Sequence, residues 1–121
     1  MIVEKEIDSF GEQYQAVFST DFAKTKGSIG VYINHTENSR IGGYVYSIGD
    51  RRSGEVYGVV LQDSSDEMAV EHARSLGRIL VKKYGLPAYT CISGSVSNFG
   101  HLLQSVMAVI EGIKGGQQGS S

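Results

Sequence analysis

The chain has 121 residues, of which 40% are hydrophobic and 20% charged, so we expect one domain with a packed core and exclude global disorder. Its net charge is −2, from 11 basic and 13 acidic side chains, and no basic stripe with interleaved aromatic residues occurs, so nucleic acid is not an expected partner. No apolar run approaches the roughly 20 residues that cross a bilayer, so no membrane partner is expected either.

The first half of the chain predicts five strands separated by turns. They are expected at residues 1–10, 13–20, 28–35, 43–48 and 55–62. Side chains alternate with period two along these runs, which is typical of strands. Consecutive strands joined by short loops indicate an antiparallel meander. Antiparallel sheets usually keep one wet face, but the central strands here are apolar on both sides.

A capped helix follows the fifth predicted strand. Ser64 is the expected N-cap, and Glu67 three residues later completes a capping box. One stripe is apolar and is expected to be buried: Ala69, Ala73, Leu76 and Leu80. The opposite side is charged: Glu71, Arg74, Arg78 and Lys82. Gly85 offers the left-handed position that ends a helix, and Pro87 prevents its continuation.

A sixth, buried strand is predicted at 88–93, and a second helix at about 98–113, capped by Ser95 or Ser97. The glycine- and serine-rich segment 115–121 cannot bury a core side chain, so we expect a single domain over 1–114 and a disordered tail. The predicted fold class is α+β, with an antiparallel sheet of about six strands. Two helices pack on one face, and the other face is left for dimerisation with another folded chain.

Sequence patterns for catalysis or cofactor binding are weak. The turn at 93–100 is rich in Gly and Ser and could cradle an anion, but it lacks the Lys-Ser/Thr ending of a P-loop and the nucleophile elbow G-x-S-x-G. His35, His72 and His101 show no metal-ligand spacing, so we expect surface imidazoles and a buried structural thiol at Cys91. We therefore expect no catalytic, cofactor or metal site.

The compartment is inferred from the single cysteine and the N-terminal pattern. Cys91 cannot form an internal disulfide. The polar residues Glu4, Glu6 and Asp8 at every second position are unlike a signal or transit peptide. We expect a reducing compartment, the cytoplasm and also the nucleus.

The tyrosines on predicted strands have two interpretations. They are core aromatics whose hydroxyls reach the rim, or they form an interface, where Tyr is enriched. The candidate interface residues are Tyr32, Tyr44 and Tyr46, together with Arg51 and Arg52 at the tip of the loop between the fourth and fifth strands.

Several local motifs resemble one known family. They are the run Val60-Leu61-Gln62-Asp63-Ser64-Ser65-Asp66, a helix with Ala73-Arg74, the segment Lys83-Tyr84-Gly85-Leu86-Pro87-Ala88-Tyr89, Asn98 in a polar turn, and Leu102-Leu103. Over residues 43–114 the chain is similar to the proteasome assembly chaperone 4 family, including its fungal members. Whether it corresponds to chaperone 4 or to its partner, chaperone 3, stays open.

The resemblance implies a non-enzymatic chaperone subunit without a cofactor. Its partner would be a homologous chaperone 3-type subunit, in a heterodimer or in a homodimer when isolated. The pair would bind an alpha subunit of the 20S proteasome, the fifth, and promote assembly of the alpha ring.

Two other functions suit the pattern. A roadblock or longin-type scaffold that regulates a small GTPase has a similar layout, and a helix before Gly43 would favour it. A small enzyme or anion-binding domain would use the turn at 93–100.

Overall fold

The computed structural model describes residues 2–9, 11–20, 27–35, 42–50, 52–62, 67–93 and 96–119, which contain six strands and two helices. The elements are β1 (Ile2–Ser9), β2 (Glu12–Ser19), β3 (Ile29–His35), β4 (Gly43–Gly49), β5 (Val56–Gln62), α1 (Glu67–Tyr84), β6 (Ala88–Ser93) and α2 (Phe99–Gly119). All eight predicted elements are present, and the α+β class is confirmed.

The sheet is mixed, so the predicted antiparallel meander is wrong at one point. The strand order is β1-β2-β3-β6-β4-β5, with β3 and β6 parallel and all other neighbours antiparallel. β6 separates β3 from β4 because α1 carries the chain from β5 across β4. This strand–helix–strand unit returns the chain in the same direction, which a tight hairpin cannot do.

Both helices lie on one face of the sheet, as predicted. α1 packs against β4, β5 and β6, and α2 contacts β1. The core therefore forms between the helices and the strand positions that point towards them, which are held by Phe18, Val31, Val45 and Ile92, all fully buried. We call this the covered face.

α1 approaches the sheet closely because three small residues, Ala69, Ala73 and Gly77, are buried on its inner side. A Cβ on Gly77 would collide with the Ser47 hydroxyl and lie 3.3 Å from Thr90 Oγ1. Thr90 Oγ1 donates to the carbonyl oxygen of Ala73 at 2.7 Å, which ties β6 to the helix backbone. The predicted inner stripe of α1 is confirmed as buried.

The two helices run side by side in the same direction. The rings of His72 and Phe99 stack with centroids 4.3 Å apart near one end. Near the other end the Tyr84 hydroxyl donates to Glu111 Oε1 at 2.6 Å, and Lys83 Nζ lies 3.0 Å from the same oxygen. Tyr84 follows His72 by 12 residues on α1, and Glu111 follows Phe99 by 12 residues on α2, so the two helices stay in register.

The helix ends differ in part from the predictions. Asn98 caps α2, because its side-chain Oδ1 accepts a hydrogen bond from the His101 amide at 3.0 Å, so the predicted cap Ser97 is wrong. Ser95, the other predicted cap, lies outside the described residues. Gly85 ends α1 as predicted, with φ +69° and its amide bonded to the Val81 carbonyl. The predicted N-cap, Ser64, lies outside the described residues.

α2 continues past residue 113 to Gly119 and includes the start of the predicted tail. The domain limits at 114 and 115–121 stay predictions. Within the described chain, neither helix has the length and apolar character required to cross a bilayer.

Candidate functional site: the open face of the sheet

The face of the sheet opposite the helices carries the candidate site. No described segment of the chain lies over it. Its side chains alternate with those of the core along every strand, so they are fixed by the same register. We call it the open face.

Four tyrosines form a contiguous cluster in the centre of the open face. Tyr46 and Tyr89 are directly opposite each other on β4 and β6, with ring centroids 4.6 Å apart. Tyr44 makes edge contacts with Tyr89 at 6.3 Å and with Tyr32 at 6.0 Å. A hydrogen bond with Tyr32, followed by burial, raises the pKa of Tyr44 to about 12. This aromatic cluster offers apolar ring surface with hydroxyls that can still hydrogen-bond.

Next to the aromatic cluster, the β4–β5 side of the sheet exposes large apolar side chains. Tyr57, Val59 and Leu61 on β5 are 50%, 53% and 51% exposed, and Ile48 on β4 is 41% exposed. Tyr57 pairs with Ile48 and Val59 with Tyr46 across the two strands. An exposed apolar patch joined to an aromatic cluster is typical of a protein interface.

The β1–β2 side of the open face is polar. Glu4, Glu6 and Asp8 on β1 are exposed, as are Gln13 and Gln15 on β2. A partner that covers the whole face would therefore meet an apolar half and an acidic half.

A recess of about 330 Å³ lies between the two halves. Val17, Tyr32 and Cys91 contribute to its lining. The Cys91 thiol is half-buried, and burial raises its pKa, although a hydrogen bond with Ser93 acts in the opposite direction. The predicted buried structural thiol is thus on the open face, between Tyr32 and Tyr44 in register.

The loop between β4 and β5 presents an arginine at its tip. Asp50 Oδ1 accepts the amide of Arg52 at 2.9 Å, and Asp50 Oδ2 accepts the Ser53 hydroxyl at 3.1 Å. Gly54 closes the turn with φ +73°. Arg52 is exposed, whereas Arg51 lies outside the described residues.

Of the five candidate interface residues, the structure therefore brings Tyr32, Tyr44 and Tyr46 together and places Arg52 at the end of the same hairpin. Their role as an interface stays a prediction. Tyr89 was not selected from the sequence, because its place beside Tyr46 depends on β6 lying next to β4. Val59 was not selected either, although it lies opposite Tyr46 in the β4–β5 hairpin.

A polar cluster lies at the end of the sheet near the β1–β2 turn. Glu12 Oε2 is 2.9 Å from His35 Nε2 and accepts the Tyr14 hydroxyl at 3.2 Å. Hydrogen bonds with Ser97 and His35 lower the pKa of Glu12. Burial, with the Glu12 charge beside it, raises the pKa of Tyr14 to about 12. His35 is buried, so the expected surface imidazole is wrong there, because its ring packs edge-on against Tyr14.

This cluster argues against the anion-binding alternative. Ser97, in the predicted anion turn, is bonded to the Glu12 carboxylate, whose charge would repel an anion. Gly94 and Ser95 lie outside the described residues. Over the described part of the chain, no group of three or more His, Cys, Asp or Glu side chains could hold a metal ion.

The fold and the open face together define an α+β interaction domain. A family model described as 20S proteasome chaperone assembly proteins 3 and 4 matches residues 2–114. The chain therefore belongs to this family of proteasome assembly chaperones, as the motifs in its second half indicate. The family is one of assembly chaperones and not of enzymes.

The fold is similar to that of a solved structure, described as the crystal structure of a novel chaperone complex for yeast 20S proteasome assembly. The match covers 93% of this chain and 91% of that chain, with a TM-score of 0.64 and 21% sequence identity. No curated protein sequence matches significantly. Before Gly43 the regular elements of the described residues are the strands β1, β2 and β3. The helix that would favour the roadblock or longin alternative is therefore not found among them.

Proposed function

We propose that this chain is one subunit of a chaperone pair that uses its open face to bind a homologous chaperone 3-type subunit. The pair binds an alpha subunit of the 20S proteasome, the fifth, and promotes alpha-ring assembly in the cytoplasm and also in the nucleus. The chain performs no catalysis in this role.

The observation that carries the proposal is the aromatic cluster on a sheet face that the helices leave open. Tyr46 and Tyr89 lie side by side with ring centroids 4.6 Å apart, and Val59 opposite Tyr46 is 53% exposed. Two sheets pack about 10 Å apart with interdigitating side chains, so a partner sheet can bury the aromatic cluster and Val59 without displacing the helices from the covered face. A standard interface of ~1,600 Å² with a few aromatic anchors would be sufficient.

The family match and the yeast chaperone complex support a partner of similar fold. The chain can form a homodimer when isolated, because the same apolar row is present on every copy. The heterodimer is favoured when the partner places basic residues opposite Glu4, Glu6 and Asp8. In a homodimer whose acidic strands face each other, these residues would meet like charges.

The loop with Arg52 supplies a second contact, to the proteasome subunit. It lies at the end of the β4–β5 hairpin, and its shape is held by Asp50. We assign it to an acidic surface of the alpha subunit.

The test is co-expression of the chain with a chaperone 3-type subunit, followed by light scattering and capture of the alpha subunit. The isolated parent chain is expected to self-associate or to be poorly soluble, and the partner to rescue it. Tyr46→Asp is expected to prevent pairing, since it buries an unpaired charge in the interface. Arg52→Glu is expected to leave the pair intact and to weaken capture of the alpha subunit.

Met68→Asp is the matched control, because it adds the same charge at an exposed residue, 58% accessible, on the helix side. A monodisperse monomer at high concentration would overturn the proposal. Equal pairing by the Tyr46→Asp and Met68→Asp chains would also overturn it.

A further inference from the structure

A groove runs along the seam between α1 and the edge strand β5. Its upper part, of about 200 Å³, lies beside Gly58, Arg74 and Arg78. Its lower part, of about 310 Å³, lies beside Val81 and Lys82. Val56 lines both parts, so they form one continuous depression that opens at the edge of the sheet.

The α1 wall of the groove is basic. Arg74, Arg78 and Lys82 follow each other at intervals of four residues, so they lie in one row on the helix surface, and all three are exposed. Arg74 is 3.5 Å from Glu71, a loose surface pair. In the described residues, neither Arg78 nor Lys82 has a carboxylate within ion-pair distance.

The strand wall of the groove is an edge of the sheet with which no described strand pairs. β5 is the last strand of the sheet, so alternate residues direct their N–H and C=O groups away from β4 and towards solvent. Proteins commonly protect such an edge with charged residues or proline. The sequence of β5, VYGVVLQ, contains neither.

The opposite edge shows the usual protection. β1, IVEKEIDS, carries four charged residues in eight positions. β5 instead exposes Tyr57 and Val59 on the open-face side of the strand, opposite Ile48 and Tyr46, and Leu61 is exposed at a register shift between β4 and β5. The edge without charged residues is thus the one that also borders the basic groove, and its regular part is residues 56–60.

We infer that β5 accepts an added β-strand from a partner protein, and that this strand alternates acidic and apolar side chains. Successive side chains of an added strand point to opposite faces of the sheet. Those on the helix side would meet Arg74 and Arg78, which favour carboxylates. Those on the other side would extend the apolar row of Tyr57 and Val59.

The geometry limits the length and the placement of this segment. β5 has seven residues, so an added strand of about five to seven residues, roughly 20 Å long, can pair with it. Asp50 and Glu55 line the lower part of the groove, and Glu71, 3.5 Å from Arg74, lines the upper part. The acidic side chains therefore belong in the upper part on the side of Arg78, and an apolar one at the lower end, near Val56 and Val81. Gly58 lies on the floor of the upper part, and the Arg74 side chain packs over it, since a Cβ on Gly58 would lie 3.4 Å from Arg74 Cγ.

This inference goes beyond the proposed function, since it uses an edge of the sheet and not its open face. The chain is used in full length, paired with its co-expressed subunit if it is purified that way. The probes are two fluorescently labelled heptapeptides, one alternating valine with glutamate and one alternating valine with lysine. Binding is measured by fluorescence anisotropy, and hydrogen exchange of the β5 amides is followed by NMR.

The glutamate peptide is expected to bind at least about tenfold more tightly than the lysine peptide and to slow exchange of the outward β5 amides. Arg74→Glu with Arg78→Glu is expected to reverse this preference. The matched control is Lys5→Glu, which makes the same kind of charge change at an exposed residue of β1, the opposite edge strand, and is expected to leave peptide binding unchanged. Thermal unfolding of each variant checks that it is folded.

Equal binding of both peptides would overturn the inference. So would a preference that survives the double reversal, or binding without protection of β5. The chain could instead self-associate through β5 and bind neither peptide. If Arg74→Glu with Arg78→Glu then abolished the self-association, the occupant would be a second copy of the chain, and the inference would also be overturned. None of these outcomes depends on whether Tyr46→Asp prevents pairing.

Discussion

The two faces of the sheet are built from different kinds of apolar residue. The covered face is filled mainly by aliphatic residues, represented by Val31 and Ile92, each 0% exposed, and its fully buried strand aromatics are Phe18 and Tyr14. The apolar half of the open face is dominated by tyrosine, represented by Tyr46 and Tyr89. Tyrosine tolerates water through its hydroxyl and still gains free energy when its ring is buried, so it suits a surface that alternates between both states.

The two faces are expected to contribute to different properties, the covered face to stability and the open face to association. Side chains on the covered face stabilise the folded chain itself, because they are buried in the core. Side chains on the open face are expected to contribute chiefly when a partner arrives. Substitutions on the two faces should therefore affect different measurements.

The largest expected effect comes from truncating one aromatic residue on each face. Phe18→Ala leaves a cavity in the core and is expected to lower the free energy of unfolding by about 3–5 kcal/mol. Tyr46→Ala is expected to lower it by less than about 1.5 kcal/mol, because the side chain is only half-buried and loses mainly its contact with Tyr89. Urea unfolding at low protein concentration measures both. Equal losses would mean that the open face is part of the core.

The close contact of α1 with the covered face gives the next largest effect. Gly77→Ala is expected to lower the free energy of unfolding by about 1–3 kcal/mol, since the new methyl group collides with the Ser47 hydroxyl. That hydroxyl is buried and has no hydrogen-bond partner among the described residues, so Ser47→Ala should relieve part of the loss.

The matched control for this contact is Gly112→Ala on α2. An added Cβ there meets no described atom within 4 Å, so helix propensity alone should raise the free energy of unfolding by about 0.5–1 kcal/mol. A double-mutant cycle of Gly77→Ala with Ser47→Ala isolates the contact. Additive losses would contradict the collision as the cause.

The sequence predicted the elements well because each one carries its own local signal. The stripe Ala69, Ala73, Leu76 and Leu80 marks one helix face, and all four are buried. Gly85 marks the end of α1 and has the positive φ expected there. The number of predicted helices also indicated that one sheet face would be left open, because two helices cover only one face.

The strand order was predicted wrongly, as an antiparallel meander, because the order depends on contacts between segments that are distant in sequence. The insertion of β6 between β3 and β4 depends on where α1 returns the chain. A buried strand that follows a strand and a helix is the pattern of a parallel crossover, and this was the available signal. Tyr89 was missed for the same reason, and Glu12 was missed because its partners His35 and Ser97 are distant in sequence.

The smallest expected effect concerns the polar end of the covered face and depends on pH. Hydrogen bonds with Ser97 and His35 lower the pKa of Glu12 below its usual 4.5. The folded state therefore favours the carboxylate more than the unfolded state does. The resulting stabilisation is fully present above about pH 4.5 and is lost as the pH falls through the folded-state pKa. Glu12→Gln should be less stable than the parent at pH 7, and the difference should shrink in acid.

Urea midpoints of the parent and of Glu12→Gln, measured from pH 7 down to pH 3, test this. Ser97→Ala removes the first cause of the shift but keeps the carboxylate, so it should show a smaller pH-dependent difference of the same sign. Tyr46→Ala, on the open face, should shift the midpoint by the same amount at every pH. A constant difference between the parent and Glu12→Gln across the range would mean that the polar cluster does not hold the carboxylate in its charged form.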